Sequence, residues 1–353
     1  MKLSRRIFLG TAASIVAFPA LASESGLRDF AARKGIIYGA AAANYELKNA
    51  AFRTALLPEA AMLSPEYEMK RDALEPAQGR YDFTGADALM EFARAHTLKM
   101  RGHALLWYHS NPPWLEEAVV STRKENLIAD YIAKVAGRYK GRIHSWDVVN
   151  EILKPSDGRA DGLRNDFWMK AFGPAYIDTA FHAARAADPQ ALLVYNDWGC
   201  ELGEPANDRF RAATLKFLDS AIARRVPIDA LGLQGHLSAF GPQVDQEKLR
   251  KFLADVKSLG LRILVTEHDV DDAGGLPDIF ARDRAVADAS RRFLDVIVDN
   301  SATDAVLTWG LSDLFIDPAG VGAALTGFSP RKLPLDRAMN RKAMWKAMAK
   351  AFA

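Results

Sequence analysis

Eight short apolar runs alternate with longer amphipathic stretches along this chain, and the alternation constrains the fold more than any other feature. The runs are residues 35–39, 60–63, 100–107, 143–149, 191–195, 228–234, 261–266 and 305–309. The stretches with helical periodicity are residues 85–96, 124–139, 167–187, 206–224, 245–259, 281–300 and 338–352. Eight strands alternating with helices predict a single (β/α)8 barrel. A doubly wound sheet is the alternative, but no glycine-rich phosphate loop follows the first run.

The first 22 residues have the pattern of an export signal. Arg5 and Arg6 precede an apolar segment over residues 7–19, and Ala20-Leu21-Ala22 forms a small-x-small cleavage motif. We expect a twin-arginine signal at 1–22, a barrel domain at 23–353, and a periplasmic or secreted mature protein. A membrane anchor is the weaker alternative, because the apolar segment falls short of the roughly 20 residues that span a bilayer.

Charge and cysteine content exclude several function classes. Removal of residues 1–22 takes away Lys2, Arg5 and Arg6 and no acids, so the formal net charge falls from +2 to −1. A nearly neutral protein has no overall electrostatic attraction to nucleic acid or to a membrane surface. The single cysteine, Cys200, cannot form an internal disulfide and is expected to pack as a small apolar residue.

No cofactor or metal site is predicted. The acidic group Asp269, Asp271 and Asp272 lacks the ligand spacing of a metal site and is expected to be a solvated loop. A monomer is the default expectation for the quaternary state.

In a barrel of this kind, chemistry belongs to the carboxyl ends of the strands. Glu151 ends the fourth run and Glu267 ends the seventh, so both carboxylates should face the same mouth. The other polar and aromatic residues at or after strand ends are Glu66, Lys70, His103, Trp107, Asn150, Asn196, Asp197, Trp198, Gln234, His236, Asp269, Trp309 and Asp313.

Two acids in a cleft rich in tryptophan and amide side chains suit the hydrolysis of a glycosidic bond. One acid must protonate the leaving oxygen while the other attacks or stabilises the anomeric carbon. Glu151 follows a buried strand and suits the proton donor, because burial disfavours the ionised form of a carboxylic acid. Glu267 suits the ionised nucleophile, because His236 and Asp269 are placed to orient it.

Seven segments together resemble glycoside hydrolase family 10, the retaining endo-β-1,4-xylanases. They are PEYEMKRDALEPAQGRYDF at 65–83, RGHALLW at 101–107, WDVVNE at 146–151, YND at 195–197, LGLQGH at 231–236, TEHD at 266–269 and LTWGLSD at 307–313. The resemblance extends from about Gly39 to the C-terminus and lies at the ends of successive predicted strands. It implies a β-1,4-linked polysaccharide or oligosaccharide as the substrate.

The resemblance also implies individual roles. Glu151 would be the acid/base and Glu267 the nucleophile of a double displacement with retention, and Asn150 would bind the sugar 2-hydroxyl. His236, bridging Glu267 and Asp269, would tune the nucleophile. The residues expected to bind substrate are Glu66, Tyr67, Lys70, His103, Trp107, Tyr108, Asn196, Trp198, Gln234 and Trp309.

Five positions depart from the family pattern. Tyr67 replaces the usual Asn after the Glu of the PEN motif, Tyr108 replaces the His after Trp107, and Ser110 replaces a Gln. His268 replaces the usual Leu after the nucleophile, and Asp317 stands where a second cleft tryptophan is expected. The catalytic pair is therefore intact while the predicted walls of the cleft are altered.

Three functions remain open from the sequence. The first is a secreted endo-β-1,4-xylanase. The second is the same mechanism on a decorated xylan, a β-1,4-glucan or a bacterial exopolysaccharide. The third is a barrel that binds glycan without cleaving it, which the presence of both glutamates disfavours.

Overall fold

The computed structural model describes residues 25–275, 277–317 and 328–353, and these form a closed parallel barrel. The predicted (β/α)8 fold is confirmed. The strands are β1 (Ile37–Ala42), β2 (Met62–Pro65), β3 (Lys99–Gly102), β4 (Ser145–Asn150), β5 (Leu192–Asp197), β6 (Ala230–Leu233), β7 (His236–Ser238), β8 (Arg262–Asp271) and β9 (Thr303–Thr308). Pairing of β1 with β9 and of β6 with β8 closes the ring, and β7 pairs with the far end of β8. The predicted export signal at 1–22 lies outside the described residues.

The described helices surround the strands and follow the amphipathic stretches of the sequence. They are α1 (Leu27–Arg33), α2 (Asn44–Leu47), α3 (Ala50–Glu59), α4 (Arg71–Leu74), α5 (Thr84–Ala95), α6 (Pro113–Thr122), α7 (Asn126–Arg138), α8 (Phe167–Phe172), α9 (Ala175–Ala187), α10 (Pro205–Ala223), α11 (Gln246–Ser258), α12 (Ile279–Val298) and α13 (Ala343–Phe352). No helix in the described ranges is long and apolar enough to cross a membrane.

The core has an inner and an outer part. The larger part lies between the strands and the helices. A separate cluster joins side chains from five strands and fills the inside of the barrel, as a packed (β/α)8 core requires. Its members are Met62, Val194, Ala230, Leu264, Ala305 and Leu307. Because both faces of each strand are covered, the strands consist of nearly continuous apolar runs in the sequence.

Several predicted elements have different bounds in the structure. The third strand ends at Gly102 rather than Trp107, and Leu106 joins Val149 through an isolated bridge only. The predicted helix over 167–187 is two helices, because Gly173 has φ +63° and Pro174 follows it. The last helix begins at Ala343 rather than near residue 338.

A buried glutamate joins the chain ends at the amino side of the barrel. Glu59, at the end of α3, accepts hydrogen bonds from Leu27 N, Arg341 Nε and Trp345 Nε1, each at 2.8 Å. Leu27 begins α1 and Trp345 lies in α13, so one carboxylate holds three helices together. We refer to these four residues as the Glu59 cluster.

Candidate active site

A cleft of about 720 Å³ opens at the carboxyl ends of the barrel strands. The predicted site residues that line it are Lys70, His103, Trp107, Asn150, Glu151, Trp198, Gln234, His236, Glu267 and Trp309. The structure therefore brings both predicted glutamates and three of the predicted tryptophans into one cavity. Cys200 is buried, as expected.

Glu267 lies on β8 and is held by partners from three other strands or strand ends. Asn196 Nδ2 donates to Glu267 Oε1 at 2.8 Å, and His236 Nε2 lies 3.3 Å from Oε2. His103 Nδ1 lies 3.9 Å from Oε1. The carboxylate is almost fully buried, so these contacts rather than bulk water determine its charge state.

The surroundings of Glu267 favour the carboxylate form. Burial acts to raise its pKa, but the hydrogen bond from His236, the charges of His103 and His236 and the hydrogen bond from Asn196 outweigh that effect. The pKa of Glu267 is therefore below its ordinary value. A carboxylate that stays ionised is the form that can attack an electrophilic carbon.

His236 connects the carboxylates of Glu267 and Asp269. Its Nδ1 lies 2.8 Å from Asp269 Oδ1, and its ring is 37% exposed to the cleft. Burial acts to lower the pKa of His236, but the charges of Asp269 and Glu267 raise it well above the ordinary value. The imidazole is consequently a cation that donates to both carboxylates at neutral pH.

Glu151 follows β4 and takes an uncommon backbone conformation. Its φ is +56°, in the left-handed region that residues with a Cβ rarely adopt. Its peptide N–H donates to Asn196 O at 2.9 Å, and Arg164 Nε donates to the Glu151 carbonyl at 2.8 Å. Both sides of this residue are therefore anchored, and the turn directs the carboxyl group into the cleft.

Three amides fill the space between the two glutamates. Gln234 Nε2 donates to Glu151 Oε1 at 3.1 Å, and Asn196 Nδ2 donates to Asn150 Oδ1 as well as to Glu267. Asn196 is fully buried, and its own oxygen accepts from Thr266. The prediction that Asn196 contacts substrate is therefore wrong, because its amide holds the nucleophile and is not accessible from the cleft.

The floor below Glu267 is an ion cluster. Asp147 pairs with Arg101 through one oxygen, and its other oxygen lies 2.9 Å from His103 Nδ1. All three side chains are buried. The cluster fixes the imidazole of His103, whose other edge lines the cleft.

Lys70 and two tryptophans form one wall of the cleft. The Lys70 ammonium lies 5.3 Å from the ring centroid of Trp107 and 5.7 Å from that of Trp309. Burial lowers the pKa of Lys70, although Glu267 and Glu66 oppose that effect. The charge of Glu66 acts on Lys70, but Glu66 does not line the cleft. Tyr67 does not line the cleft either, and its side chain is half exposed.

The structure shows where the remaining departures from the family pattern lie. Tyr108 does not line the cleft; the Arg164 guanidinium lies 4.0 Å from its ring centroid, and burial together with the charge of Glu151 raises its pKa. His268 is buried, and its ring nitrogens lie 2.8 Å from Gly235 O and from Ser290 Oγ. Ser110 lies outside the cleft, and residues 318–327 after Asp317 are not described.

The opposite wall contains residues that the sequence did not single out. Its members are Lys154, Arg164, Glu201, Glu204, Arg209 and Phe210, together with the predicted Trp198. Trp198 is 46% exposed and its ring centroid is 5.8 Å from that of Phe210. An exposed indole of this kind offers a flat face to a sugar ring. These positions lie in loops and at the start of α10, where no strand pattern marked them.

Asp197 and Glu201 are buried acids beside this wall. Asp197 accepts from Tyr195 Oη at 2.7 Å and from Leu153 N at 3.1 Å, and burial raises its pKa to about 8. Glu201 accepts from Gly199 N and Gly235 N, and burial raises its pKa too. In residues 25–275, 277–317 and 328–353, no three or more His, Cys, Asp or Glu side chains are arranged to hold a metal ion.

A closed parallel barrel with an acid at the end of β4 and a hydrogen-bonded carboxylate on β8, facing one aromatic cleft, defines a (β/α)8 barrel of the glycoside hydrolase class. The family model described as glycosyl hydrolase family 10 matches residues 26–351. The chain belongs to glycosyl hydrolase family 10, which confirms the resemblance seen in the sequence.

Sequence relatives of the chain include proteins named endo-1,4-beta-xylanase. The chain is 31% identical to endo-1,4-beta-xylanase C of Paenibacillus barcinonensis over 337 residues, which are 85% of this chain and 29% of that protein. It is 33% identical to endo-1,4-beta-xylanase B of Thermotoga neapolitana over 256 residues, which are 72% of this chain and 70% of that protein. The chain therefore spans less than a third of the Paenibacillus relative.

Solved structures show the same fold over nearly the whole chain. Native xylanase 10B from Thermotoga maritima matches with a TM-score of 0.81 and 28% identity, covering 93% of this chain and 98% of that one. Xylanase 10B from Thermotoga petrophila, solved in complex with xylobiose, matches with a TM-score of 0.81 and 28% identity, covering 94% and 98%.

Proposed function

We propose that the protein is a retaining endo-β-1,4-glycanase and that its substrate is xylan or xylo-oligosaccharides. The observation that supports this most directly is the shared amide cluster between Glu151 and Glu267. Asn196 donates to Glu267, Gln234 donates to Glu151, and both amides also donate to Asn150 Oδ1, so one hydrogen-bonded network joins two carboxyl groups that line a single cleft. The xylobiose complex of the Thermotoga petrophila relative supports a xylo-oligosaccharide as the ligand class.

In the proposed mechanism, the Glu267 carboxylate attacks the anomeric carbon while Glu151 donates its proton to the glycosidic oxygen. The bond to the leaving sugar breaks and a glycosyl ester forms on Glu267. Glu151, now ionised, removes a proton from water, whose oxygen attacks the same carbon and releases Glu267. Two inversions at one carbon give net retention, and both glutamates return to their starting protonation states.

The cleft walls assist that chemistry in defined ways. In this proposal Asn150, which lines the cleft, hydrogen-bonds the sugar 2-hydroxyl, and Lys70 supplies a further donor beside Trp107 and Trp309. Trp198 offers a stacking face on the opposite wall. The substrate would then lie across the two glutamates with aromatic rings on both sides.

A second candidate keeps the mechanism and changes the glycan. Tyr67 and Tyr108 replace polar family residues, and neither side chain lines the cleft. In this second proposal the loss of the polar contacts that family members make at these positions admits a decorated xylan, a β-1,4-glucan or a bacterial exopolysaccharide. A barrel that binds glycan without hydrolysis is the third candidate, and the depressed pKa of Glu267 argues against it.

The test is hydrolysis of a substrate panel by the mature protein. Soluble xylan, xylo-oligosaccharides, mixed-linkage glucan and an aryl β-xylobioside are incubated with wild type and with Glu267→Ala, and new reducing ends are measured. We expect cleavage of xylan with wild type only, and NMR of the first product should show the β-anomer. Cleavage of glucan alone would support the second candidate. Glycan binding without cleavage, unchanged in the variant, would support the third.

Export is a separate proposal that rests on the N-terminal sequence. Arg5 and Arg6, followed by an apolar segment and a cleavage motif, support delivery of a folded protein to the periplasm or medium. Amino-terminal sequencing of the exported protein should begin near Ser23. Retention of the enzyme in the cytoplasm after Arg5→Lys and Arg6→Lys would support the twin-arginine route, and unchanged export would contradict it.

A further inference from the structure

Lys332 extends the line of groups that ends at the nucleophile. Its Nζ donates to Asp269 Oδ2 at 2.6 Å, while the other oxygen of Asp269 lies 2.8 Å from His236 Nδ1. The far side of His236 lies 3.3 Å from Glu267 Oε2. Lys332, Asp269, His236 and Glu267 therefore form one continuous chain of charged groups, which we call the Lys332 line.

The backbone around Lys332 is docked onto the barrel by several hydrogen bonds. Val270 N donates to Lys332 O at 3.3 Å. On either side, Arg331 N donates to Asp272 Oδ1 at 3.1 Å and Leu333 N donates to Asp313 Oδ1 at 3.0 Å. Backbone hydrogen bonds on both sides of Lys332 therefore fix the position of its ammonium group beside Asp269.

The charges along the line balance only when Lys332 is included. Glu267 and Asp269 are two carboxylates that flank one imidazole, and a single His⁺ can neutralise only one of them. Lys332 supplies the second positive charge. In the described part of the chain, His236 and Lys332 are the side chains that donate to the Asp269 carboxylate, one to each oxygen.

We propose that Lys332 is a positioning residue for the hydrolysis, acting through Asp269 and His236 to keep Glu267 ionised in mildly acidic solution. This inference rests on the proposed function. A positive charge at the end of the line favours every deprotonated acid within it and makes Glu267 a better leaving group from the glycosyl ester.

The directions of the individual shifts agree with this assignment. Burial acts to raise the pKa of Asp269, but His236 and Lys332 lower it below the ordinary range. Burial acts to lower the pKa of Lys332, but the Asp269 charge raises it. Each group is thus held in its charged form by its neighbour.

Other charged groups face the Lys332 line from all sides. They are Glu66 and Lys70 after β2, His103 after β3, Glu151 after β4, Glu201 after β5, His268 and Asp271 on β8, and Asp313 after β9. None of these replaces Lys332 on the Asp269 carboxylate. Removal of Lys332 therefore leaves that oxygen without its cation, and the remaining groups cannot restore the balance without moving.

Lys342 is the matched control for the possibility that Lys332 only stabilises the fold. Lys342 Nζ donates to Asp313 Oδ2 at 2.6 Å and to Arg331 O at 2.7 Å, and its side chain is buried. It has the same chemistry and holds the same segment, but its aspartate is not bonded to His236 or Glu267. Loss of Lys342 removes a buried cation that holds the segment but donates to no member of the Lys332 line.

The experiment compares Lys332→Met, Lys332→Arg and Lys342→Met with wild type. The pH profile of kcat/KM on an aryl β-xylobioside and the Tm are measured for each. We expect the acidic limb to move to higher pH in Lys332→Met, because loss of a positive charge raises the pKa of Glu267, and to return in Lys332→Arg. Lys342→Met should lower Tm and leave the limb in place. If Lys332→Met does not fold, Lys332→Gln takes its place.

An unchanged acidic limb in a folded Lys332→Met or Lys332→Gln enzyme would overturn the proposal, as would failure of arginine to restore it. A second readout needs no substrate. NMR titration of the His236 imidazole should move to higher pH when Lys332 is neutralised, and an unmoved titration would also overturn the proposal. If wild type cleaves no glycan, the proposed function fails while the NMR titration still decides the role of Lys332.

Discussion

The two ends of the barrel each bury a glutamate, and the partners of the two carboxylates differ in kind. Glu59 at the amino end accepts from a peptide N–H, an indole N–H and a guanidinium. These donors keep their protons at any pH at which the protein folds. Glu267 at the carboxyl end is bonded to an amide and an imidazole and faces a cleft. One carboxylate is fixed to join helices, and the other has surroundings that can change charge and admit a substrate.

Burial alone does not distinguish a functional acid from a structural one. Both glutamates are almost fully buried, and each oxygen of both carboxylates has a hydrogen-bond partner. What distinguishes Glu267 is a titratable partner and an open side. Perturbed acids of this kind concentrate at functional sites, whereas acids with permanent donors serve the fold.

The largest expected effect comes from removing the charge of each glutamate in turn. Glu267→Gln should reduce kcat by at least about 10⁴-fold in an enzyme that still folds, because the proposed covalent step is lost. Glu59→Gln should lower the free energy of unfolding by about 2 kcal/mol, since Arg341 loses its counter-charge, and leave kcat within about threefold. Steady-state kinetics and urea denaturation measure both. Loss of activity in a folded Glu59→Gln enzyme would break the comparison.

Tryptophans at the two ends provide a smaller and equally separable contrast. Trp198→Ala should raise KM for long xylo-oligosaccharides about fivefold, since a stacked ring contributes about 1 kcal/mol, and should leave Tm unchanged. Trp345, which donates to Glu59, packs edge to face on Phe30 at 6.1 Å. Trp345→Ala should cost about 3–5 kcal/mol of unfolding free energy and leave KM unchanged.

An aryl β-xylobioside provides the internal control for Trp198, because it has no further sugar on the leaving side. Its kinetics should be the same in wild type and Trp198→Ala if the indole binds the leaving portion of the substrate. An equal loss on the short and long substrates would place the indole in some other role.

A third contrast appears only in its pH dependence and concerns Asp197, a buried acid at the functional end that affects stability. Burial raises its pKa to about 8, so the folded chain binds this proton more tightly than the unfolded chain does. The stabilising contribution is therefore complete below about pH 4, declines as the pH rises, and is lost above about pH 8. Asp197→Asn has no such dependence.

Urea denaturation at several pH values measures this effect. The free energy of unfolding of Asp197→Asn relative to wild type should rise between about pH 4 and pH 8 and level off above that. A constant difference across the range would mean that Asp197 is ionised in the folded protein. That outcome would make the two ends of the barrel alike in how they hold their buried acids.

The sequence predicted the barrel and the two glutamates because each depends on a strand pattern. Glu151 and Glu267 directly follow apolar runs, and the carboxyl ends of parallel strands meet at one face of a barrel. His236 and Asp269 were found in the same way. The family motifs added the expected roles, which stay predictions, and the family model matches residues 26–351.

The sequence did not predict contacts made by loop residues. Arg164 reaches the carbonyl of Glu151 from a loop 13 residues further along, and Lys332 reaches Asp269 from a segment after β9. No periodicity relates such pairs. The sequence shows that Asn196 lies at a strand end, and this position predicted a contact with substrate. The direction of its amide depends on hydrogen bonds with Thr266 and Glu267, which the sequence does not show. The break of the 167–187 helix at Gly173 was missed because its amphipathic pattern continues across the break.

Closure of the barrel has a consequence for how activity appears during folding. β1 pairs with β9 through Ile37 and Ala305, which are separated by most of the chain. Such a contact carries a large loop-closure entropy and forms slowly compared with neighbouring strand pairs. Lys70 follows β2 and Trp309 follows β9, on the two sides of this pairing, so the cleft wall that they form is complete only once the ring closes. Recovery of hydrolysis after dilution from denaturant should consequently lag behind recovery of helical circular dichroism, which makes enzymatic turnover a reporter of the final circularisation of the chain.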